Sequence, residues 1–242
     1  MELDAEKIKS LLKSDAEVFV YVTVSSTNDL GAEFAEKTAL PIVIAADGQT
    51  CGRGRGEKSF YSPSGTGLYL TLVTHPDSDF GSLAAVTCGA AVAATRAVEK
   101  LTDLKPQIKW VNDIYIGEKK VCGILCRAIG GNGKVRHLVT GIGINILTKD
   151  FPDEIKNIAG SLNREIDRNI LAAEIVNNLL TVENFADEYR EKSCVLGRQI
   201  KYYINGTEHS GTAVDIDENC GLVVADGKEK TTLTGGEISV KF

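Results

Sequence analysis

Glycine and arginine alternate in residues 51–60, which read CGRGRGEKSF. Glycine lets the backbone adopt positive φ and approach a ligand closely, and the arginine guanidinium is a planar, permanently charged fork that suits carboxylate and phosphate oxygens. Three basic side chains against one acidic side chain give this stretch a charge of +2, whereas the whole chain carries −6. We therefore expect a mobile loop that closes over an anion, and the alternative is a solvated surface loop. No Gly-Lys-Ser/Thr sequence closes the loop, so it is not a Walker loop.

A second candidate segment is KWVND at residues 109–113. Lys109 falls within a predicted strand beside Trp110, where a fully solvated lysine is less expected. A lysine in that setting can bridge two anions, such as a carboxylate that attacks a phosphate. The alternative is an edge-strand lysine whose stem packs on the surface beside a core tryptophan. Lys120 and the sequence GIL at residues 123–125 follow this segment closely.

Two further segments offer polar groups at strand ends. Ser26, Thr27 and Asn28 lie where a strand meets a helix N-terminus, a place that can receive a polar ligand group, although plain helix capping is the alternative. Gln49 adds an amide just before the arginine loop. In GIGIN at residues 141–145, two glycines let a strand pass close to a neighbour.

The elements that must position these segments follow from periodicity and turn residues. Strands are predicted at residues 18–24, 42–46, 68–73, 108–110, 114–116, 121–129 and 135–146. Helices are predicted at residues 5–13, from the capping cluster 25–29 to about residue 37, at 83–101 and at 170–189. From residue 197 onward, short β-type runs alternate with tight turns, which indicates a small β-barrel or sandwich. The boundary between the two regions is therefore expected near residues 190–197.

The overall composition is that of an ordinary globular protein, with 43% hydrophobic and 25% charged residues. The net charge of −6 argues against nucleic-acid binding through a basic surface. No signal peptide and no membrane span are apparent, so a cytoplasmic protein is predicted. The six cysteines form no CxxC pair and the three histidines lack ligand spacing, which argues against a disulfide framework or a zinc site.

Taken together, in this order and spacing, these segments resemble the biotin–protein ligases. The matching motifs are Ser26-Thr27-Asn28, Gln49 with Gly52-Arg53-Gly54-Arg55-Gly56, Ser62-Pro63 with Gly67-Leu68-Tyr69-Leu70, Lys109-Trp110-Val111-Asn112-Asp113, Gly123-Ile124-Leu125, Gly141-Ile142-Gly143-Ile144-Asn145 and Gly235-Gly236-Glu237-Ile238-Ser239. The resemblance covers nearly the whole chain from Val20 onward, and the paired arginine-loop and KWVND motifs make it specific.

The resemblance implies an α+β fold with two domains. Residues 1–193 would form a catalytic domain, a mixed sheet with helices of the class II aminoacyl-tRNA synthetase/biotin ligase type. Residues 194–242 would form a small SH3-like β-barrel. No N-terminal DNA-binding domain is present, so neither DNA binding nor repressor activity is expected. No membrane partner is expected, and a homodimer is left open.

The implied reaction has two steps. Biotin and MgATP first give biotinyl-5′-adenylate and pyrophosphate, and the amine of one lysine on a biotin carboxyl carrier domain then displaces AMP. The resemblance assigns the catalytic roles to Lys109, Arg53 and Arg55. It assigns biotin binding to Ser26, Thr27, Asn28, Gln49, Gly52, Arg53, Gly54, Arg55, Lys109 and Gly123, and ATP binding to Arg53, Arg55, Asn112, Lys120 and Asn145. The ligands of Mg²⁺ are not assigned.

Three positions depart from the family pattern. Val111 stands where proline is usual, Glu57 replaces a glycine or a basic residue, and Phe60 replaces the common tryptophan. These changes bear on how the loop closes more than on the reaction. The nearest rival function is a lipoate–protein ligase, which uses the same acyl-adenylate chemistry, and a rival of another class is a non-enzymatic biotin- or nucleotide-binding regulator.

Overall fold

A computed structural model describes residues 2–56, 58–76, 82–131, 134–204, 207–235 and 238–240 of the chain. The helices are α1 (Ala5–Leu11), α2 (Thr27–Phe34), α3 (Leu83–Leu101), α4 (Arg168–Thr181) and α5 (Ala186–Lys192). The strands are β1 (Glu17–Val24), β2 (Ile42–Gln49), β3 (Gly67–Thr74), β4 (Gln107–Lys109), β5 (Asp113–Ile116), β6 (Lys119–Gly131), β7 (Lys134–Asn145), β8 (Gln199–Ile204), β9 (Thr207–Ile216), β10 (Leu222–Asp226), β11 (Glu229–Leu233) and β12 (Ile238–Val240).

Seven strands form one mixed sheet in the order β1-β2-β3-β7-β6-β5-β4. The β1–β2 pair is parallel and the other pairs are antiparallel. The central strands are buried along most of their length, because their apolar side chains pack in two clusters, a large core and a smaller cluster that includes residues of α2. The prediction of a mixed α+β fold is confirmed.

Helix α3 forms much of this core. Ser82 caps it by accepting a hydrogen bond from the backbone N–H of Ala85 at 3.0 Å. Its middle is rich in alanine, and residues 87–95 are all buried. Small side chains in the middle of the helix let it pack closely on β6 and α4.

The last five strands form a separate antiparallel sheet in the order β11-β10-β9-β8-β12. Its buried apolar residues belong to the same hydrophobic core as residues of the seven-stranded sheet. One polar contact also joins the two sheets, because the Trp110 indole N–H donates to the backbone oxygen of Cys220 at 2.9 Å. The predicted domain boundary at residues 193/194 falls between α5 and β8 and stays a prediction.

The helix predicted at residues 170–189 is wrong in one respect, because two helices occupy this region. Helix α4 ends where Val182 turns to an extended conformation, with φ −70° and ψ 115°. Asn184 then adopts the left-handed region at φ 49°, which asparagine tolerates better than most residues. The apolar period continues through this break, so periodicity alone did not reveal it.

Other helix ends also shift. The first helix stops at Leu11, because Leu12 is extended, and the second stops at Phe34 rather than near residue 37. The tip of the predicted glycine hairpin at residues 132–133, the turn at 205–206 and the motif residues 236–237 lie outside the described residues. In the described part of the chain, no helix is both long enough and apolar enough to span a membrane.

Candidate active site

A cavity of about 610 Å³ lies where the arginine loop, the β4–β5 turn and the ends of β6 and β7 meet. A segment between β7 and α4 closes one side of it. Its lining residues are Arg53, Gly54, Arg55, Lys58, Ser59, Phe60, Tyr61, Lys109, Trp110, Asn112, Asp113, Tyr115, Lys120, Gly123, Ile124, Leu125, Asn145, Phe151, Ile155, Ile158 and Ala159. We call it the main cavity.

A smaller cavity of about 30 Å³, the head pocket, adjoins the main cavity. It is lined by Ser26, Thr27, Asn28, Gln49, Arg53, Phe60, Tyr69, Gly123, Leu125, Gly141, Ile142 and Gly143. Four of these residues also line the main cavity, so the two cavities share a wall at Arg53, Phe60, Gly123 and Leu125. The structure thus brings all the predicted site residues except Gly52 to one of two adjoining cavities.

Gln49 is held in a fixed orientation at the head pocket. Its side-chain oxygen accepts from the Thr27 backbone N–H at 2.8 Å, and its amide nitrogen donates to the Ser62 hydroxyl at 2.9 Å. The Thr71 hydroxyl in turn donates to the Thr27 hydroxyl at 3.0 Å. Ser26 caps α2 by accepting from the Asp29 N–H at 3.3 Å, so the capping interpretation is correct for this residue although it also lines the pocket.

Close approach explains three of the glycines. A Cβ on Gly141 would lie 2.7 Å from the Asn28 amide nitrogen, which donates to the Leu125 backbone oxygen at 3.2 Å. On Gly143 it would lie 2.6 Å from the Phe60 ring, and on Gly123 it would lie 3.1 Å from the other edge of that ring. The two glycines on β6 and β7 therefore make room for an aromatic ring where the two cavities join.

The arginine loop folds as a short hairpin. The Gly54 N–H donates to the Lys58 carbonyl at 2.8 Å, and the Phe60 N–H donates to the Gly52 carbonyl at 2.9 Å. Gly52 is required here, since a Cβ would lie 2.4 Å from the Phe60 carbonyl oxygen. Glu57 lies outside the described residues. The mobility predicted for this loop stays a prediction.

The two loop arginines have different partners. Arg53 donates through Nε to the Asp29 carboxylate on α2 at 2.9 Å, and Arg127 reaches the same carboxylate at 3.1 Å. Arg55 donates through Nη1 to the Asn112 side-chain oxygen at 3.3 Å. Arg53 thus ties the loop to the helix that forms the head pocket, whereas Arg55 crosses toward the segment that carries Lys109.

Lys109 is half-buried at the end of β4 and lines the main cavity. Burial lowers the pKa of its ammonium, and the Asp113 carboxylate partly offsets this effect. Asp113 itself forms an ion pair with Lys120 at 2.6 Å, so its charge is shared. The ring centroid of Tyr115 lies 5.8 Å from the Lys109 ammonium. Burial and the Asp113 carboxylate raise the pKa of Tyr115 to about 12. Lys109 is thus a partly buried cation, and the Asp113 carboxylate that balances its charge is also bound to Lys120. The Lys109 ammonium is therefore suited to bind an anion.

Three contacts fix the turn after Lys109. The Trp110 indole is bound by the Cys220 backbone oxygen, and the Val111 carbonyl accepts from the Tyr189 hydroxyl at 3.1 Å. The Asn112 amide nitrogen donates to the Ile124 backbone oxygen at 3.0 Å. The peptide bond between Trp110 and Val111 is cis. With these contacts in place, Asn112 lines the cavity although valine stands at position 111.

Asn145 ends β7 inside the main cavity. Its amide nitrogen donates to the Gly160 backbone oxygen at 3.0 Å. Its side-chain oxygen is buried, and among the described residues nothing donates to it. A buried acceptor without a donor is costly, so this oxygen is suited to a ligand hydroxyl or amino group.

Sequence reasoning missed one wall of the main cavity, namely the segment between β7 and α4. Phe151, Ile155 and Ile158 line it, and the Phe151 ring lies 6.2 Å from that of Tyr61. Ile158 is 56% exposed, so this wall presents an apolar side chain to the open side of the cavity. In the sequence, the only feature that marked this wall was a set of apolar residues in a segment that is otherwise polar.

The sequence model of the Biotin/lipoate A/B protein ligase family matches residues 19–145, and that of the Biotin protein ligase C terminal domain matches residues 195–241. The first match covers more than half of the chain. The chain belongs to the biotin/lipoate A/B protein ligase family. Its two matched regions coincide with the seven-stranded and five-stranded sheets.

The names of two relatives are consistent with membership of this family. The bifunctional ligase/repressor BirA of Bacillus spizizenii is 36% identical over 171 residues, which cover 69% of this chain and 52% of that protein. BirA of Bacillus subtilis is 33% identical over 196 residues, which cover 78% of this chain and 60% of that protein. The chain therefore spans less than two thirds of the length of these two relatives.

A solved structure with the same fold is the biotin protein ligase of Aquifex aeolicus in complex with biotin and ATP. It superposes with a TM-score of 0.78 at 27% sequence identity, over 93% of this chain and 98% of that one. The similarity extends through both sheets, so the arrangement around the main cavity belongs to a fold shared along nearly the whole length of both chains.

Proposed function

We propose that the chain is a biotin–protein ligase that activates biotin with MgATP to biotinyl-5′-AMP and transfers biotin to a lysine of a biotin carboxyl carrier domain. Family membership and the names of the relatives support a ligase. The biotin and ATP bound to the Aquifex aeolicus protein support these two substrates. We also propose a cytoplasmic location for the protein.

One observation carries the proposal. Lys109, a half-buried cation, lines a main cavity that adjoins a polar head pocket, which Thr27 and Gln49 help to form. Biotin has a polar ureido ring at one end and a carboxylate at the other. The proposed pose places the ring against Thr27 and Gln49, where the head pocket of about 30 Å³ must widen to admit it, and the carboxylate in the main cavity beside Lys109 and Arg55.

In the first step, a biotin carboxylate oxygen attacks the α-phosphorus of ATP, the P–O bond to the β-phosphate breaks, and pyrophosphate leaves. Two anions must approach each other, so fixed cations are the expected catalysts. Lys109 would contact both the carboxylate and the α-phosphate, and Arg55 would hold a phosphate oxygen. The free side-chain oxygen of Asn145 would accept from a nucleotide hydroxyl or amino group. Orientation of bound reactants supplies much of the remaining rate.

Mg²⁺ is the expected companion of ATP. Among the described residues, no group of three or more His, Cys, Asp or Glu side chains could hold a metal ion. Asp113 lines the main cavity but is already bound to Lys120. The described side chains therefore do not define a resident Mg²⁺ site, and we assign no step to the metal.

Incubation with biotin, MgATP and a carrier domain tests the proposal. The expected result is pyrophosphate release that requires both biotin and ATP, together with the mass increase of one biotin on the carrier. Titration calorimetry with biotin and with lipoate separates the two branches of the family. Lipoate binding without biotin binding would overturn the choice of substrate, and biotin binding without turnover would indicate a regulator instead of an enzyme.

A further inference from the structure

Two histidines lie side by side at the end of the seven-stranded sheet that is remote from the main cavity. In the antiparallel pairing of β3 with β7, Thr74 is opposite Leu138, and the next position along brings His75 beside His137. Their Nδ1 atoms are 2.8 Å apart, and their ring planes are inclined at 86°. We call these two residues the histidine pair. His137 is eight residues before Asn145 on β7, so the pair lies about 26 Å along that strand from the main cavity.

The outer nitrogen of each ring has an oxygen atom beside it. The Nε2 atom of His75 lies 3.1 Å from the backbone oxygen of Leu40, and that of His137 lies 3.2 Å from a carboxylate oxygen of Glu36. Such an oxygen attracts an N–H group and repels a lone pair, so the proton of each neutral ring belongs on Nε2. Both Nδ1 atoms then carry a lone pair, and the two lone pairs face each other. At 2.8 Å they repel unless a cation is bound to them.

We propose that the histidine pair binds a divalent transition-metal ion of the Ni²⁺ or Cu²⁺ class. This inference goes beyond the proposed function and does not rest on it. Neutral imidazole nitrogen is a common ligand of both metals. With metal–nitrogen bonds of about 2.0–2.1 Å, two ligand nitrogens are about 2.9 Å apart when they meet at a right angle and about 3.4 Å apart at the tetrahedral angle. The observed 2.8 Å fits the right angle, which is typical of the tetragonal geometry of Ni²⁺ and Cu²⁺.

The surroundings of the histidine pair are also those of metal-ligating residues. A ligating histidine almost always holds its second ring nitrogen against a carboxylate or a backbone carbonyl, which fixes the tautomer and the orientation of the ring. Glu36 and Leu40 supply one of each. His137 is only 7% exposed, whereas His75 is half-buried. The pair therefore has one ring that packing holds in place and one that borders solvent, where an ion can enter.

Water would complete the coordination of the ion. Among the residues that the structure describes, no third His, Cys, Asp or Glu side chain joins the pair to form a metal-binding group. Glu36 supplies a negative charge beside His137, but Arg136 reaches the same carboxylate oxygen at 3.0 Å and shares that charge. We therefore expect an affinity lower than that of a structural zinc site, in which four protein ligands surround the metal.

A metal ion at the histidine pair would link three parts of the fold. His75 follows β3, His137 is on β7, and Glu36 and Leu40 belong to the segment between α2 and β2. Helix α2 begins at the head pocket, so the ion would fix the segment that follows the other end of that helix. An ion that binds the folded chain alone also stabilises it. The spacing of the histidines along the sequence did not reveal the pair, because strand pairing joins positions 62 residues apart.

Titration calorimetry of the untagged chain with nickel chloride tests the inference. We expect one Ni²⁺ per chain. Loss of an outer partner of a ligating histidine typically costs about 10–100-fold in metal affinity, so Glu36→Gln should weaken binding by about ten-fold, and His75→Gln and His137→Gln by at least as much. His209→Gln is the matched control, because it removes the third histidine of the chain, which stacks on Tyr202 in the C-terminal sheet. It should bind Ni²⁺ as the wild type does.

A measurement on the wild type covers the case in which a variant fails to fold. Ni²⁺ with water among its ligands is paramagnetic, so it should broaden the imidazole proton signals of His75 and His137 in the NMR spectrum and leave those of His209 sharp. Absence of saturable Ni²⁺ binding would overturn the inference and would leave a proton as the cation between the two rings. Broadening at His209 alone would also overturn it, as would unchanged affinity in both His75→Gln and His137→Gln.

Discussion

Lys109→Met is the substitution that most directly tests the proposed chemistry. Methionine keeps an unbranched stem of similar length and removes the charge. We expect the rate of adenylate formation to fall by about 10³-fold, because two unit charges 4 Å apart interact by roughly 4 kcal/mol at an effective dielectric of 20. Each 1.36 kcal/mol corresponds to about a factor of ten in rate. Removal of a single oxyanion donor typically costs about 10²–10³-fold, which agrees with this value.

The same substitution should leave the protein folded. Burial holds the pKa of Lys109 below its usual value of 10.5. Between the lowered folded-state pKa and the unfolded-state pKa, the unfolded chain binds more protons, so stability rises with pH across that window. Below it, the protonated lysine destabilises the folded state relative to a neutral side chain. Lys109→Met should therefore melt at the same temperature as the wild type or slightly higher at neutral pH.

The assay is single-turnover pyrophosphate release at saturating biotin and ATP, with melting followed in parallel. Lys58→Met is the matched control, because Lys58 lines the same cavity but lies on the arginine loop. It should cost much less than Lys109→Met. A Lys109→Met rate within ten-fold of wild type would refute the assigned contact with both anions. A large drop in melting temperature would show that Lys109 is structural.

Three further outcomes are expected. Adenylate formation should slow as pH rises through the lowered pKa of Lys109, and Lys109→Arg should move that decline to higher pH in a pH–rate profile; an unmoved decline would assign it to another group. Arg55→Gly should release the adenylate about ten-fold faster or more in stopped flow, since hydrogen bonds to charged groups contribute about 1.5–3 kcal/mol, and an unchanged rate would exclude this role. Gly143→Val should weaken biotin binding measured by calorimetry, because its Cβ would lie 2.6 Å from the Phe60 ring and overpacking costs about 1–3 kcal/mol. Phe60→Ala in the same chain should restore part of the affinity, and no restoration would argue against that clash.

The sequence predicted the strands of the main sheet well, because their apolar runs are bounded by clear turn residues. It also predicted that β7 passes close to a neighbour at Gly141 and Gly143. It did not identify the neighbours, which are Asn28 from α2 and Phe60 from the arginine loop. Such contacts join residues more than eighty positions apart, and local pattern carries no information about them.

Other features were beyond sequence reasoning for related reasons. The break between α4 and α5 contains an extended Val182 and a left-handed Asn184, within a helical period that continues past both. The cavity wall at Phe151 and Ile155 has no motif, because its role depends only on where the segment folds. The partner of Arg53 was also unpredictable, since a surface arginine can reach any of several carboxylates.

The different partners of Arg53 and Arg55 bear on how the arginine loop can act as a lid. Asp29, the partner of Arg53, follows the residues that form the head pocket, and Asn112, the partner of Arg55, follows Lys109. The Arg53–Asp29 side chains are 54% and 30% exposed, and ion pairs of this kind contribute only about 0–1 kcal/mol. The Arg53–Asp29 ion pair therefore does not hold the loop shut strongly. The loop can therefore be ordered by its own hairpin bonds in the absence of ligand and still open at small cost, and bound phosphate would supply the additional contacts needed to keep it closed during the reaction.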